Sequence, residues 1–197
     1  MSQTNLSLVA EPKLFERFLL LLQKGVKVTA RIGSTVISFL CDDLGLSPEY
    51  VDNRIQTLFL NGKAIDNPDT ALLKEDSTLA LSAAMPGVLG ATLRKGGRYA
   101  RMRNEISHHE QDEGIPVHQG FLLLKLFNLL PAEIGPAIFA RGIWLKGEDL
   151  NEFLKELPDE LPGKCIEATV DDQVVNLNSL VKRDWENQVL YVKIKPI

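Results

Sequence analysis

The clearest pattern in the chain is a strict alternation from Val26 to Ile32. Val26, Val28, Ala30 and Ile32 fall on one side and Lys27, Thr29 and Arg31 on the other, the two-residue period of a half-buried strand. The period then changes. Gly33-Ser34 opens a predicted helix with Ser34 as the N-cap candidate, and Val36, Ile37, Leu40, Cys41 and Leu44 share one face before Gly45 stops it. Ile55 to Leu60 reads as a second strand. Asn61-Gly62 is a hairpin signal, because both residues tolerate positive φ. Lys63 to Asp66 returns, Asn67-Pro68-Asp69 turns again, and Ser77 to Ser82 forms a third strand. Upstream, Pro12 to Lys24 reads as a helix, with Pro12 in the first turn and Gly25 as the stop. The competing reading makes Arg17 to Gln23 a strand; the leucine-rich run favours the helix.

Beyond Met85 the texture differs. PGVLGATLRKGGR brings Gly87, Gly90, Gly96 and Gly97 close together, Arg98 to Ile106 looks helical, and His108 to Gly114 is polar and acidic, the best candidate linker. Pro116 to Leu130 is expected to be a helix closed by Pro131. Val117, Phe121, Leu122, Leu123, Leu124, Leu126, Phe127, Leu129 and Leu130 leave it almost no polar face, the mark of a buried helix or a homo-oligomer contact. Pro136 to Arg141 and Asp149 to Leu157 read as helices, and the acid-rich stretch Glu148 to Glu160 as a solvated face. Lys164 to Val170, Val174 to Leu177 and Val189 to Lys195 read as strands, with Asp171-Asp172-Gln173 as a turn. No repeat of solenoid length stands out. The expected class is α+β, divided into an N-terminal helix or arm (1–25), a module (26–84), a glycine-rich basic segment and linker (85–114) and a C-terminal α+β region (115–197).

The order strand, helix, strand, tight turn, short strand, turn, strand resembles the ubiquitin-like β-grasp, including the small sulfur carriers of molybdopterin and thiamine synthesis. The likeness is carried by Gly33-Ser34-Thr35-Val36, by Leu58-Phe59-Leu60-Asn61-Gly62-Lys63 and by Lys74 to Leu81. It spans roughly residues 26 to 84. With Pro12 to Lys24 helical, the usual first strand is missing, so another segment must cover that sheet edge, the C-terminal strand being the candidate. Leu81 to Gly97 also resembles a group of uncharacterised bacterial proteins, a likeness that implies no activity.

Composition narrows the classes. The chain has 197 residues, 45% of them hydrophobic and 24% charged, enough to bury a proper core. A net charge of -4 argues against a whole-protein footprint on nucleic acid. Cys41 and Cys165 form no CxxC and no zinc spacing, and one bridge between them does not make a secreted framework. The start MSQTNLSLVAEPK shows no secretory pattern, and the apolar runs Phe18 to Leu22 and Phe121 to Leu130 are too short to span a bilayer. The expectation is a cytoplasmic protein without a membrane span.

The most suggestive chemistry lies just past the module. Arg94, Arg98 and Arg101 share one face of a helix, and Val88 to Ser107 carries five basic residues against one acid. Glycines let backbone N–H groups approach an anion, and arginines bind carboxylates or phosphates in bidentate fashion. Arg94, Lys95, Gly96, Gly97, Arg98, Arg101 and Arg103 are therefore the candidate partner- or anion-binding residues. The bland alternative is a turn and an amphipathic helix whose arginines are solvated or paired with Glu148 to Glu160. Neither GxxxxGK[ST] nor GxGxxG occurs. Gly96-Gly97 matches the diglycine of ubiquitin-like carriers, but that chemistry needs a free terminus, so it would require cleavage after Gly97. His108, His109 and His118 lack HExxH spacing, Cys41 reads as a packed thiol, and no GxSxG is present. The sequence thus points to a non-enzymatic interaction or scaffold protein with no catalytic residues, metal or cofactor and an unidentified protein partner. The alternatives are a carrier cleaved after Gly97 and a phosphate or nucleotide binder at the glycine-rich loop.

Overall fold

Residues at the start of the chain alternate as faithfully as those from Val26 onward. In strand β1 (Gln3–Ala10), Thr4, Leu6, Leu8 and Ala10 are buried and the residues between them face outward, the pleat period of a half-buried strand. Helix α1 (Pro12–Lys24) follows, as predicted, and buries Leu14, Phe15, Phe18, Leu21 and Leu22. This structure, a computed structural model, describes residues 3–84, 87–97 and 116–197, with the side chain of Leu89 excepted. They form two units: Leu22–Pro131, and Met1–Leu21 together with Ala132–Ile197. The protein is α+β, and both units are built on mixed sheets.

In the unit Leu22–Pro131 the predicted elements β2 (Val26–Ile32), α2 (Val36–Ser38), β3 (Thr57–Leu60), β4 (Lys63–Ala64) and β5 (Thr78–Ser82) fall close to their expected bounds. Two helices beyond those expected, α3 (Pro48–Arg54) and α4 (Gly87–Leu93), stand before β3 and after β5. The Asn61-Gly62 turn has φ of 51° and 78°, the left-handed conformation those residues accept. The N-cap of α2 is Thr35, whose side chain accepts from the Ser38 N–H, rather than the predicted Ser34; the Ser34 hydroxyl instead donates to the Arg31 carbonyl at 2.6 Å. After one turn the helix widens: the Leu44 N–H bonds to the Phe39 carbonyl, five residues back, at 2.9 Å.

One expectation is overturned outright. The apolar run after Pro116 is not a helix but strand β6 (His118–Phe127). It pairs antiparallel with β2, Thr29 opposite Phe121, and parallel with β5, Leu79 opposite Leu124. Gly120, Leu122, Leu124 and Leu126 are buried in alternation. A short continuous apolar run has no period that separates a central strand from a buried helix, and here the strand wins because it joins two existing strands. The strand order is β4-β3-β5-β6-β2, with β3 antiparallel to both β4 and β5. The C-terminal strand, proposed as the missing edge cover, takes no place in this order.

The second unit contains α5 (Leu130–Arg141) from Ala132 onward, β7 (Ile143–Lys146), α6 (Gly147–Lys155), β8 (Cys165–Val170), β9 (Gln173–Val175), α7 (Leu177–Lys182) and β10 (Val189–Pro196), with β1 and most of α1. Its order is β7-β10-β1-β8-β9. β1 runs parallel to β10 and antiparallel to β8, while β7 and β9 pair antiparallel with β10 and β8. The core joins Phe18 to Phe153, ring centroids 4.8 Å apart, and Phe15 edge-on to Phe139 at 5.8 Å. Trp185 is fully buried and donates its Nε1–H to the Leu180 carbonyl at 3.0 Å. Gly147 begins α6 where a Cβ would lie 1.6 Å from the Trp185 carbonyl oxygen, so no larger residue fits. Both cysteines are free and half-buried.

The strand assignment of β6 sets a mutational period. Leu122→Ala, Leu124→Ala and Leu126→Ala should each cost about 2–5 kcal/mol in urea unfolding. Leu129→Ala, at a residue more than half exposed, should stay within about 0.5 kcal/mol. Costs following a three-to-four-residue rhythm would contradict the strand.

Candidate functional site

The short helix α4 delivers the chain to the predicted basic, glycine-rich turn, and that turn is docked on the rest of its unit. The Arg94 N–H closes the helix on Gly90, and Gly97 turns back on Arg94, both at 3.1 Å. Between them the Lys95 N–H donates to the Gln56 carbonyl at 2.8 Å, and Gln56 in turn donates to the Ser82 carbonyl at 3.0 Å. The turn is thereby stitched to the loop before β3 and the end of β5.

The Lys95 side chain reaches the last turn of α3. Its ammonium lies 2.7 Å from the Val51 carbonyl and 3.4 Å from Asp52 Oδ1. A cation there satisfies a carbonyl that the helix leaves unpaired and meets the negative end of its dipole. The Gln56 amide does the same work beside it, donating to the carbonyls of Asn53 at 2.7 Å and Asp52 at 3.2 Å. Gly96, at φ 58°, donates its N–H to Asp66 Oδ1 at 3.0 Å. That carboxylate sits ahead of the Asn67-Pro68-Asp69 turn, which the Asn67 side chain closes on the Asp69 N–H at 3.0 Å.

Two shallow cavities flank the turn. One of about 400 Å³ is lined by Ile37, Pro48, Asp52, Asp66, Pro68 and Lys95; the other, of about 470 Å³, by Asp52, Gln56, Ala91, Arg94, Gly96 and Gly97. Acid and base meet here, since the first also takes in Asp69. The backbone donors of Lys95, Gly96 and Gly97 are all engaged within the protein. Of the residues predicted to bind a partner or anion, the structure brings Arg94, Lys95, Gly96 and Gly97 together. Arg98, Arg101 and Arg103 lie outside the described residues, as do His108, His109 and the expected helix and linker between 98 and 114.

A second cluster, unforeseen in the sequence, ties β2 to the widened turn after α2. Arg31 Nε lies 3.0 Å from Asp43 Oδ1, its Nη2 2.8 Å from Asp42 Oδ2, and Ser38 Oγ donates to Asp42 at 2.7 Å. The Ser38 hydroxyl first, and the Arg31 guanidinium second, hold the Asp42 carboxyl below its ordinary 3.8. Only the fold shows that Arg31 faces the acidic pair Asp42-Asp43. Cys41, between them in sequence, has its thiol pushed up chiefly by burial, in line with a packed, unreactive group. His118 Nε2 is 3.7 Å from Glu75 and its Nδ1 2.9 Å from the Pro116 carbonyl. Among the described residues no three His, Cys, Asp or Glu side chains gather as metal ligands, and no helix is long and apolar enough to cross a membrane.

The fold and the docked turn define an α+β protein with a basic, glycine-rich segment anchored beside a sheet. Comparison with family models, curated proteins and solved structures yields no match.

Two outcomes follow from this geometry. Asp66→Ala removes the acceptor for Gly96, and amide exchange at Gly96 should accelerate about tenfold, the loss of roughly one hydrogen bond; unchanged exchange would contradict the docking. For Asp42, a folded pKa below the unfolded one means the unfolded chain binds the proton first. The stabilisation is therefore present above about pH 4 and lost as pH falls through the lowered value. Urea midpoints should fall more steeply on acidification from pH ~4 in the native protein than in Asp42→Asn, and parallel curves would contradict the cluster.

Proposed function

We propose that Leu22–Pro131 is a β-grasp module whose first strand is supplied late in the sequence, and that the protein is a non-enzymatic interaction or scaffold protein. The partner is a protein that meets the arginine-bearing segment starting at Arg94. The observation that carries this reading is the position of β6, antiparallel to β2 on one side and parallel to β5 on the other. In this reading β6 stands for the missing strand, and the order of the remaining pairings supports it beside the resemblance stated from Gly33-Ser34-Thr35-Val36 and Asn61-Gly62.

The docked turn supports a fixed surface over a processed tail. Lys95 and Gly96 hold the described part of the segment against α3 and Asp66. In a carrier the diglycine must be a free end. Here 100 residues follow Gly97 (197 less 97), and α4 and the docked turn separate it from the last residue of β5. For the phosphate-binding alternative, the engaged N–H groups of Lys95, Gly96 and Gly97 leave the arginines as the groups to meet an anion. An acidic protein surface answers that chemistry through bidentate pairs.

The test is a pull-down from native lysate with the tagged full chain and its Arg94→Glu/Arg98→Glu/Arg101→Glu variant, both shown to be folded by circular dichroism. A partner held by the native chain and lost by the variant supports the surface. Equal recovery from both removes it.

A further inference from the structure

The sheet of the second unit has an outer face that its helices leave open, and the strand register places its residues. Along β10, Leu190, Val192 and Ile194 are buried while Val189, Tyr191, Lys193 and Lys195 face outward. Opposite them β7 presents Trp144 to Tyr191 and Lys146 to Val189, and β1 presents Asn5, Ser7 and Val9 to Tyr191, Lys193 and Lys195. Continuing across β8, Thr169 and Glu167 complete the rows. Among the described strand residues of this face the charges are three lysines and one glutamate. Glu167 stands two strands from Lys195, about 9.6 Å at the usual inter-strand spacing. Lys193 and Lys195 form no ion pair with a carboxylate among the described residues. They project about 6.8 Å apart along the strand.

The centre of the face is aromatic. Trp144 packs on Tyr191 with centroids 4.9 Å apart, Lys193 Nζ stands 5.6 Å above the Tyr191 ring, and the Tyr191 hydroxyl donates to the Arg141 carbonyl at 2.6 Å. Half-buried aromatic rings beside exposed lysines are the composition of a protein contact: aromatic anchors at the centre, charge at the rim.

We infer that this face is a docking surface for an acidic, extended segment of a partner protein, with its carboxylates on Lys146, Lys193 and Lys195 and its apolar side chains on Trp144 and Tyr191. Charge complementarity selects the occupant. A single-stranded nucleic acid is held by a run of aromatic rings on which successive bases stack, whereas this face offers only the adjoining pair Trp144 and Tyr191, tilted 45° to each other. A long polyanion would also meet the field of a chain whose net charge is -4, while a short acidic segment feels mainly the local lysines within a Debye length. The surface belongs to the unit without the glycine-rich turn, so it stands independently of the arginine-segment reading.

The experiment is fluorescence anisotropy of a labelled alternating glutamate–valine peptide, with labelled oligothymidylate in parallel. The proteins are the native full chain, Lys193→Glu/Lys195→Glu, and Lys13→Glu on α1 as a control for general charge. All three lysines are exposed, and thermal unfolding of each variant checks the fold. The expected result is saturable peptide binding that weakens with salt, weakens about tenfold in the double variant, as the loss of two exposed charge contacts allows, and is unchanged in Lys13→Glu. No saturable binding of the peptide, or equal weakening by Lys13→Glu, overturns the proposal. So does tighter binding of oligothymidylate through the same two lysines, which would make the face a nucleic-acid surface.

Discussion

The unit Leu22–Pro131 depends on a strand that must be paired along both of its edges. β6 is apolar from Phe121 to Phe127 except at Lys125, and each of its backbone groups needs a partner once buried. β2 supplies them along His118 to Leu124, and β5 along Leu123 to Phe127. Where β5 has not yet begun, the chain leading into it takes over. Phe121 donates its N–H to Glu75 at 3.0 Å and accepts from the Asp76 N–H at 2.9 Å, and Leu123 donates to the Ser77 carbonyl at 2.8 Å. Gly120 follows from the same crowding, since a Cβ there would meet Glu75 and Ile32. Without β6, β2 and β5 would each expose an open edge, and the docked turn that hangs from Gln56 and Ser82 would lose its frame.

The second unit solves the same problem with other segments. Read from β2 and from β7, the successive pairings of both sheets are antiparallel, parallel, antiparallel, antiparallel. Both units also close their outer hairpin with two left-handed residues: Asn61 and Gly62 at φ 51° and 78°, Asp171 and Asp172 at 47° and 64°. In the second unit the central strand that runs parallel to its neighbour is β1, drawn from the start of the chain. The strands of the two units thus share an arrangement that no sequence period announces, because the equivalent strands arrive in a different chain order.

Elements with a clean local signal were legible in advance. The alternation of Val26 to Ile32, the Pro12–Lys24 helix between its proline and glycine, and the Asn61-Gly62 turn all stand where local chemistry put them. What failed needed tertiary knowledge. The leucine run of β6 has no period to read, so only its two neighbours decide that it is a strand. β1 did carry an alternation, Thr4, Leu6, Leu8 and Ala10, but with Asn5 and Ser7 between them the expectation for residues 1–25 is a helix or arm. The candidate site was half visible. Its basic and glycine content marked the segment, yet the acceptors that dock it, Val51, Gln56 and Asp66, lie at least 30 positions from their donors and carry no motif of their own.

The central claim, that 118–127 is the strand inserted between β2 and β5, is tested most directly by NMR of the full chain. The account predicts cross-strand nuclear Overhauser contacts from Phe121 to Thr29 on one side and from Leu124 to the backbone around Leu79 on the other. Alpha-proton contacts three residues ahead along 118–127, with none to β2 or β5, would contradict it.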